Sequence, residues 1–261
     1  MPRSAGYVDP ETLKRIGAVL QDVKQRSYLA MHVQPGSHVL DAGCGPGIDT
    51  IALGQLVGPT GKVVGIDLDE EMIAEALLAA EEAAVDGWVT HRQGDIESLP
   101  FDDGTFDACR AERLFQVLPA PIEPQHVCAE LVRVLKPGGW LVALDADWGT
   151  WSMDSDDVDL ERKLARILAE QLRPNGYAGR QFWRLFRRQG LVELTVEVLP
   201  VHYLQSTYSP IGGEWVHRQA VEAGIITQAE QERWRAGVEQ ADANNEFFAT
   251  SSMVMVAGRK P

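Results

Sequence analysis

Short apolar runs alternate with amphipathic segments over the first part of the chain. The apolar runs are typical of buried strands, and they predict strands near 38–42, 63–67, 88–93, 105–110 and 139–146. Between them, apolar residues recur every three or four positions, which predicts helices near 48–57, 70–84 and 122–135. This alternation predicts an α/β fold, in which helices cover both faces of a parallel sheet.

Helical patterns flank this core on both sides. Asp9 and Pro10 form a typical helix start, and apolar positions continue at helical spacing, so one amphipathic helix is predicted over about 10–32. The remaining elements are two helical segments, at about 149–190 and 206–249, and two strands, over 192–199 and 252–258. Helical segments near the ends of the strands are well placed to form walls of a ligand pocket.

Composition and charge exclude several classes of protein. A net charge of −14 repels a phosphate backbone, so no nucleic-acid partner is expected. The chain has no apolar run of membrane-spanning length and no apolar signal-peptide core at its N-terminus, which predicts a cytoplasmic protein without stable membrane insertion. Cys44, Cys109 and Cys128 lack the short spacings of metal sites, so no structural metal is expected. The oligomeric state is not indicated.

An acid and three glycines follow the first predicted strand, in the pattern Asp41-x-Gly43-x-Gly45-x-Gly47. The glycines let the backbone turn sharply and approach a ligand closely. The helix that follows directs its free N–H groups toward the negative end of that ligand. A dinucleotide-binding fingerprint would place its third glycine at position 48, which is Ile48. The spacing therefore departs from that of NAD- and FAD-binding proteins.

Two more acids follow the next two predicted strands. Asp67 ends the second strand, where a carboxylate can accept hydrogen bonds from both hydroxyls of a ribose. Asp95 follows the third strand, and a Leu-Lys-Pro-Gly-Gly turn at 135–139 leads into the fifth. Together with the glycine loop, these motifs resemble the class I S-adenosylmethionine-dependent methyltransferases, most closely the ubiquinone-biosynthesis-like (type 11) subgroup. The resemblance extends from residue 36 to about residue 147.

The resemblance implies a Rossmann-like, doubly wound sheet of about seven mostly parallel strands, with the last strand antiparallel beside the fifth. It implies a helical lid over 1–34 and a methyltransferase domain over 35–261, with the helical segments after strands five and six as insertions that cap the substrate. It also implies S-adenosyl-L-methionine as methyl donor and S-adenosyl-L-homocysteine as product.

The resemblance places cofactor contacts at the motif positions, which are Asp41, Gly43, Cys44, Gly45, Gly47, Asp67, Leu68, Gly94, Asp95, Ile96 and Ala111. Asp67 would hold the ribose hydroxyls, and Asp95 would accept a bond from the adenine amine. The three acids could instead have structural roles. Asp41 can brace the glycine loop, Asp67 can cap the helix that begins near Glu70, and Asp95 can be a turn residue. Cys44 is interpreted as a small residue filling the loop.

Methyl transfer needs a base only when the attacking atom of the acceptor carries a proton. The candidate bases are Asp145 or Asp147 at the end of strand five, of which Asp147 is the better placed, His202 on strand six and His217 in the second insertion. A lone histidine is also commonly a structural residue. No metal is required.

Aromatic residues concentrate in and beside the insertions, at Trp148, Trp151, Tyr177, Trp183, Tyr203, Tyr208 and Trp215. They predict a pocket for an apolar or aromatic small molecule, although each can instead join an inserted helix to the core. Two alternative functions stay open. The chain could methylate a carbon of a prenylated quinone ring, or it could bind the cofactor without catalysis and serve as an interaction module. The acceptor and the methylated atom are not indicated.

Overall fold

The computed structural model describes residues 10–204 and 214–261, in which seven strands form one sheet. The strands are β1 (His38–Ala42), β2 (Lys62–Asp67), β3 (Val89–Gln93), β4 (Phe106–Glu112), β5 (Leu135–Met153), β6 (Val192–Tyr203) and β7 (Ala249–Arg259). The helices are α1 (Pro10–Val19), α2 (Gln21–Ala30), α3 (Ile48–Val57), α4 (Glu70–Glu82), α5 (Pro124–Val134), α6 (Val158–Glu170), α7 (Ala178–Arg188), α8 (Glu214–Glu222) and α9 (Gln228–Ala243). A 3₁₀ turn spans Phe115–Val117.

The strand order is β3-β2-β1-β4-β5-β7-β6. The first five strands are parallel, and β7 runs antiparallel to both β5 and β6. The predicted doubly wound fold with an antiparallel last strand is therefore confirmed. The order reverses between β1 and β4, and ligands of open α/β sheets bind in the crevice at such a point, beyond the carboxyl ends of the strands.

Apolar residues cover both faces of the sheet. Side chains alternate along a strand, so neighbouring residues of β1 lie on opposite faces of the sheet. Val39 packs into the core cluster that includes α2, α3 and α6, whereas Leu40 packs into the cluster that includes α5 and α7. Both residues are fully buried. Helices on two faces leave the ends of the parallel strands as the place where a ligand can approach the sheet.

Two elements differ from their predicted bounds. The segment predicted as one helix over 10–32 forms α1 and α2, because Leu20 between them adopts a turn conformation (φ −93°, ψ 10°). The fifth strand was predicted to end at 146, but β5 continues to Met153, where it still pairs with Ala249 of β7. Antiparallel pairing over this length supplies backbone partners that the local sequence does not reveal.

The division into a lid over 1–34 and a domain with capping insertions stays a prediction. Asp9 and Tyr208 lie outside the described residues. Among the residues described, no helix is both long enough and apolar enough to span a membrane.

Candidate active site

A cavity of about 760 Å³ lies at the point where the strand order reverses. One end is bordered by the loop after β1 and by the residues that follow β2 and β3. The other end is bordered by the segment after β4 and by residues of the C-terminal part, which are Ala146, Trp148, Arg173, Tyr203 and Met253. Apolar side chains of α1 and the α1–α2 turn contribute a further wall, with Leu13, Ile16, Val19 and Leu20.

The loop after β1 has a backbone that requires glycine. Gly43 has a φ of +72°, and an added Cβ would come within 2.9 Å of a methyl carbon of Leu114. Gly47 has a φ of +81°, occupies the N-cap of α3, and lies so close to Ala76 that a Cβ would be 3.0 Å away. L-residues rarely adopt such φ values. Gly43, Cys44 and Gly45 line the cavity, and Gly47 does not.

Asp67 joins two backbone segments and borders the cavity. Its Oδ2 accepts from the N–H of Gly45 at 2.9 Å, and its Oδ1 accepts from the N–H of Asp69 at 3.0 Å. Burial raises the pKa of Asp67, and these hydrogen bonds oppose the shift. The cap of α4 is Asp69, which accepts from the N–H groups of Glu71 and Met72. Asp67 is thus not the helix cap, and it remains suited to a ribose.

The segment after β3 also reaches the cavity. Gly94, Asp95 and Ile96 line it together, as does Leu68 after β2. Asp95 accepts from the N–H of Glu97 at 2.9 Å, so it is a turn residue. The turn and the proposed adenine contact are compatible, because Asp95 also faces the cavity.

Charged side chains are buried where α2, α3 and β4 meet, and we call Lys24, Asp41, Asp49, Arg110 and Glu112 the buried charge cluster. Nζ of Lys24 lies 2.6 Å from Oδ2 of Asp49 and 2.8 Å from Oε1 of Glu112. The Arg110 guanidinium is 3.1 Å from Asp49 and 3.3 Å from Asp41, and it also contacts Glu112. Lys24 and Arg110 are 2% and 1% exposed.

Burial and ion pairing act in opposite directions on these acids. Burial would raise the pKa of Asp49, but Arg110 and Lys24 outweigh it and hold the pKa below its ordinary value. Burial dominates at Asp41, where it raises the pKa to about 7 despite Arg110. Asp41 was predicted to contact the cofactor, but it does not line the cavity. Its carboxylate accepts a hydrogen bond from Arg110 instead. Of the cluster, Lys24, Asp49, Arg110 and Glu112 border the cavity.

The predicted cofactor positions thus divide into two groups. Eight of them line the cavity, namely Gly43, Cys44, Gly45, Asp67, Leu68, Gly94, Asp95 and Ile96. Asp41, Gly47 and Ala111 are buried and lie outside its lining. Burial raises the pKa of the Cys44 thiol well above its ordinary value, so this side chain forms a neutral part of the wall.

The predicted bases do not lie at the cavity. Along β5, Ala146 and Trp148 face it, so Asp147 between them faces away, where it pairs with Arg180 at 2.6 and 2.7 Å. Along β6, Tyr203 faces the cavity and the preceding residue, His202, is exposed and stacks on a phenylalanine ring.

His217 is buried away from the cavity against Trp234, with ring centroids 5.8 Å apart, and burial lowers its pKa to about 4. Asp147, His202 and His217 therefore lie outside the lining of the cavity, as does the fully buried Asp145.

Two of the predicted aromatic residues, Trp148 and Tyr203, line the cavity. The other described ones lie elsewhere: Trp151 packs near Trp234, Tyr177 donates to Glu170, Trp183 is 45% exposed, and Trp215 lies over Arg173. Trp151, Tyr177 and Trp215 pack in or against the core cluster that includes α6, so they help to join the C-terminal segments to the core.

The sequence patterns did not single out Lys24, Asp49, Gln116 or Arg173 as site residues, although all four line the cavity. Lys24 and Arg173 carry no local motif, because only the tertiary structure buries them. Arg110 could have been recognised from the sequence as a site candidate, because a guanidinium inside a buried strand must be paired or contact a ligand. Gln116 accepts from the indole N–H of Trp148 at 2.6 Å, a contact between distant segments.

Comparison with known proteins agrees with this architecture. Residues 39–139 match the model of a methyltransferase domain family. An uncharacterized 37.1 kDa protein in transposon TN4556 of Streptomyces fradiae is 33% identical over 234 residues, which is 89% of this chain and 65% of that protein. Demethylmenaquinone methyltransferase of Bacillus cereus is 38% identical over 127 residues, 49% of this chain and 52% of the relative. The chain thus spans only about half to two thirds of these relatives' length.

The geranyl diphosphate C-methyltransferase of Streptomyces coelicolor A3(2), solved in complex with Mg²⁺, geranyl diphosphate and S-adenosyl-L-homocysteine, has a similar fold. The TM-score is 0.59 at 18% identity, and the match covers 98% of this chain and 87% of that chain. The chain is thus similar in sequence, over residues 39–139, to a family of methyltransferase domains, and similar in fold to a solved methyltransferase.

Proposed function

We propose that the chain transfers a methyl group from S-adenosyl-L-methionine to a small molecule with an apolar or aromatic part. The observation that carries the proposal is that one cavity joins the two halves of such a site. Gly45, Asp67 and Asp95 border one end, and Trp148 and Tyr203 border the other. The volume of about 760 Å³ lies within the range of about 300–1,000 Å³ that is typical of small-molecule pockets.

The side chains at the first end suit the parts of the methyl donor. Asp67 would accept hydrogen bonds from the ribose hydroxyls, and Asp95 with the Ile96 backbone would hold the adenine. The charged amino-acid end would be held by the cavity-lining members of the buried charge cluster, which are Lys24, Asp49, Arg110 and Glu112. These residues offer both signs of charge, as an ammonium and a carboxylate on one ligand require.

The donor supplies an activated methyl group on a sulfonium. The protein's task is to hold the acceptor atom in line with that methyl and to exclude water. Ile16 and Leu20 form a buried apolar wall on one side, and Trp148 and Met253 are buried on the acceptor side. The positions of Asp147, His202 and His217 do not support proton transfer by any of them, and their predicted catalytic role stays untested.

Two measurements test the proposal. Isothermal titration should show binding of S-adenosyl-L-homocysteine and no binding of NAD or FAD. Mass spectrometry should then detect methylated products after incubation with S-adenosyl-L-methionine and a panel of apolar and aromatic acceptors. Binding of NAD or FAD in place of the homocysteine compound would refute the donor assignment. Donor binding without any methylated product would instead favour the non-catalytic interaction module.

The relation to demethylmenaquinone methyltransferase supports a second candidate, C-methylation of a prenylated quinone ring. The aligned segment of 127 residues is too short to include the whole cavity, whose lining runs from Leu13 to Met253. Activity that requires detergent or lipid vesicles would favour this candidate, and full activity on water-soluble acceptors would count against it. The cytoplasmic location and the lack of a nucleic-acid partner stay predictions from the sequence.

A further inference from the structure

The glycine loop after β1 is anchored to its surroundings at two places. At its start, the N–H groups of Gly43 and Cys44 donate to the carbonyl of Ile66 in β2, at 2.8 and 3.1 Å. At its end, the carbonyl of Gly47 accepts from Oγ1 of Thr50 at 2.8 Å. Thr50 lies in the first turn of α3 and is fully buried. The second anchor therefore depends on what holds the Thr50 hydroxyl.

A histidine of β3 makes that contact. Nε2 of His91 lies 2.7 Å from Oγ1 of Thr50. Because the single hydroxyl proton of Thr50 is directed to the carbonyl of Gly47, the hydroxyl oxygen can only accept from His91. The imidazole must therefore carry its proton on Nε2. Groups from β3, α3 and the glycine loop thus form one chain of hydrogen bonds, in which the direction of each bond is defined.

The surroundings of the imidazole keep it in this neutral form. His91 is 8% exposed, and its Nδ1 is buried and has no hydrogen-bond partner within the part of the chain that the structure describes. A second proton would therefore lack an acceptor, and burial lowers the pKa of His91 to about 4. The N–H donor on Nε2 is consequently present throughout the neutral pH range.

The ring is also packed closely against the loop and against β2. A Cβ added at Gly47 would lie 3.3 Å from Nε2 of His91, and one added at Gly65 of β2 would lie 2.7 Å from Cδ2 of the same ring. The added atom at Gly65 would also lie 2.8 Å from Sγ of Cys44, which lines the cavity. His91 itself lies outside the cavity lining, so its effect on a ligand has to pass through the loop.

We propose that His91 is a positioning residue for the methyl donor, which holds the glycine loop in its binding conformation through the hydroxyl of Thr50. This inference rests on the proposed function and adds a residue to its donor site. The loop supplies Cys44 and Gly45 to the cavity wall, and Asp49 in the first turn of α3 lines it as well. A loop that loses one anchor samples other conformations. The apparent affinity for a ligand then falls in proportion to the fraction that stays competent to bind.

The test compares two substitutions at this position by isothermal titration of the full chain with S-adenosyl-L-homocysteine. His91→Leu removes the N–H donor and should weaken binding by about three- to tenfold. His91→Gln carries an amide N–H that can replace the one on Nε2, and its affinity should stay within about twofold of the wild type. His38→Leu, at the exposed start of β1, is the control and should bind as the wild type does. Equal affinities of His91→Leu and His91→Gln would overturn the proposal.

A double-mutant cycle separates this role from simple packing of the ring. Thr50→Val removes the hydroxyl and should weaken binding about as much as His91→Leu does. The double variant should bind at most about twofold more weakly than either single variant, because both substitutions break the same chain of hydrogen bonds. Multiplication of the two separate losses would overturn the proposal. Thermal unfolding reports whether each variant is folded at the titration temperature, and Thr50→Val gives an independent measurement if His91→Leu is not.

The two proposals fail separately. If the wild type does not bind the homocysteine compound, the proposed function fails, and hydrogen exchange of the loop amides still tests the positioning role in the unliganded protein. The amides of residues 43–47 should then exchange at least about threefold faster in His91→Leu than in His91→Gln. Tight binding by the wild type and by His91→Leu alike would overturn the positioning role alone.

Discussion

The backbone N–H of Gly45 donates to Oδ2 of Asp67 across 2.9 Å, and this bond joins the loop after β1 to the end of β2. The second carboxylate oxygen accepts from the residue that caps α4, at 3.0 Å. One side chain thus fixes the glycine loop and the start of a helix while it borders the cavity. The shape of the loop and part of the cavity wall consequently depend on the same carboxylate.

Asp67→Ala should weaken binding of S-adenosyl-L-homocysteine by roughly 10- to 100-fold, because charge-assisted hydrogen bonds worth about 1.5–3 kcal/mol are lost. Isothermal titration measures the change. Asp86→Ala is the matched control, since this acid is exposed in the loop before β3. If Asp67→Ala binds as tightly as the control, the ribose assignment is wrong.

Lys24→Met should lower the free energy of unfolding by about 3–5 kcal/mol, because Asp49 and Glu112 lose a buried ammonium partner. Urea denaturation at neutral pH measures this loss. Lys163→Met is the control, because its pair with Glu230, at 3.5 Å, lies near the surface, with side chains that are 40% and 24% exposed. Such surface pairs contribute about 0–1 kcal/mol. Equal losses in the two variants would show that the buried charge cluster does not stabilise the fold more than a surface pair does.

Asp145 should make the protein less stable as the pH rises. Burial raises its folded-state pKa to about 7, whereas an unfolded aspartate titrates near pKa 3.9. The folded protein therefore retains the proton over the window from about pH 4 to pH 7, and its contribution to stability is full below this window and lost above it.

Asp145→Asn cannot ionise and removes this dependence. Relative to the wild type, the free energy of unfolding of the variant should rise by up to about 4 kcal/mol between pH 4 and pH 8. Urea denaturation at both pH values gives the difference in free energy of unfolding. Asp41, whose pKa is also raised to about 7, is present in both proteins, so its contribution to the pH dependence cancels. A constant difference across this window would mean that Asp145 titrates normally in the folded state.

Asp147→Asn should leave turnover within about twofold of the wild type, because Asp147 pairs with Arg180 outside the cavity. The loss of stability should be about 1 kcal/mol or less, since the Arg180 side chain is 50% exposed. Turnover is measured on whichever acceptor the product screen identifies. A tenfold fall in kcat with unchanged donor affinity would restore Asp147 as a catalytic candidate.

Local sequence was sufficient for the sheet and for most of the cavity lining that follows β1, β2 and β3. The positive φ of Gly43 (+72°) is a backbone requirement of a short segment. The acids lie at or just after the ends of β2 and β3, so neighbouring residues are enough to place them. The parallel order of strands follows from their alternation with helices. For this reason Gly43, Gly45, Asp67 and Asp95 were predicted and do line the cavity.

Only the tertiary structure decided which side chains of the C-terminal part face the cavity. The extension of β5 to Met153 depends on pairing with β7, which begins almost a hundred residues later, and the register of that strand turns Trp148 inward and Asp147 outward. Lys24 and Arg173 enter the cavity wall from segments distant in sequence. Strand register and the burial of charge are set by contacts between remote segments, and no local pattern encodes them.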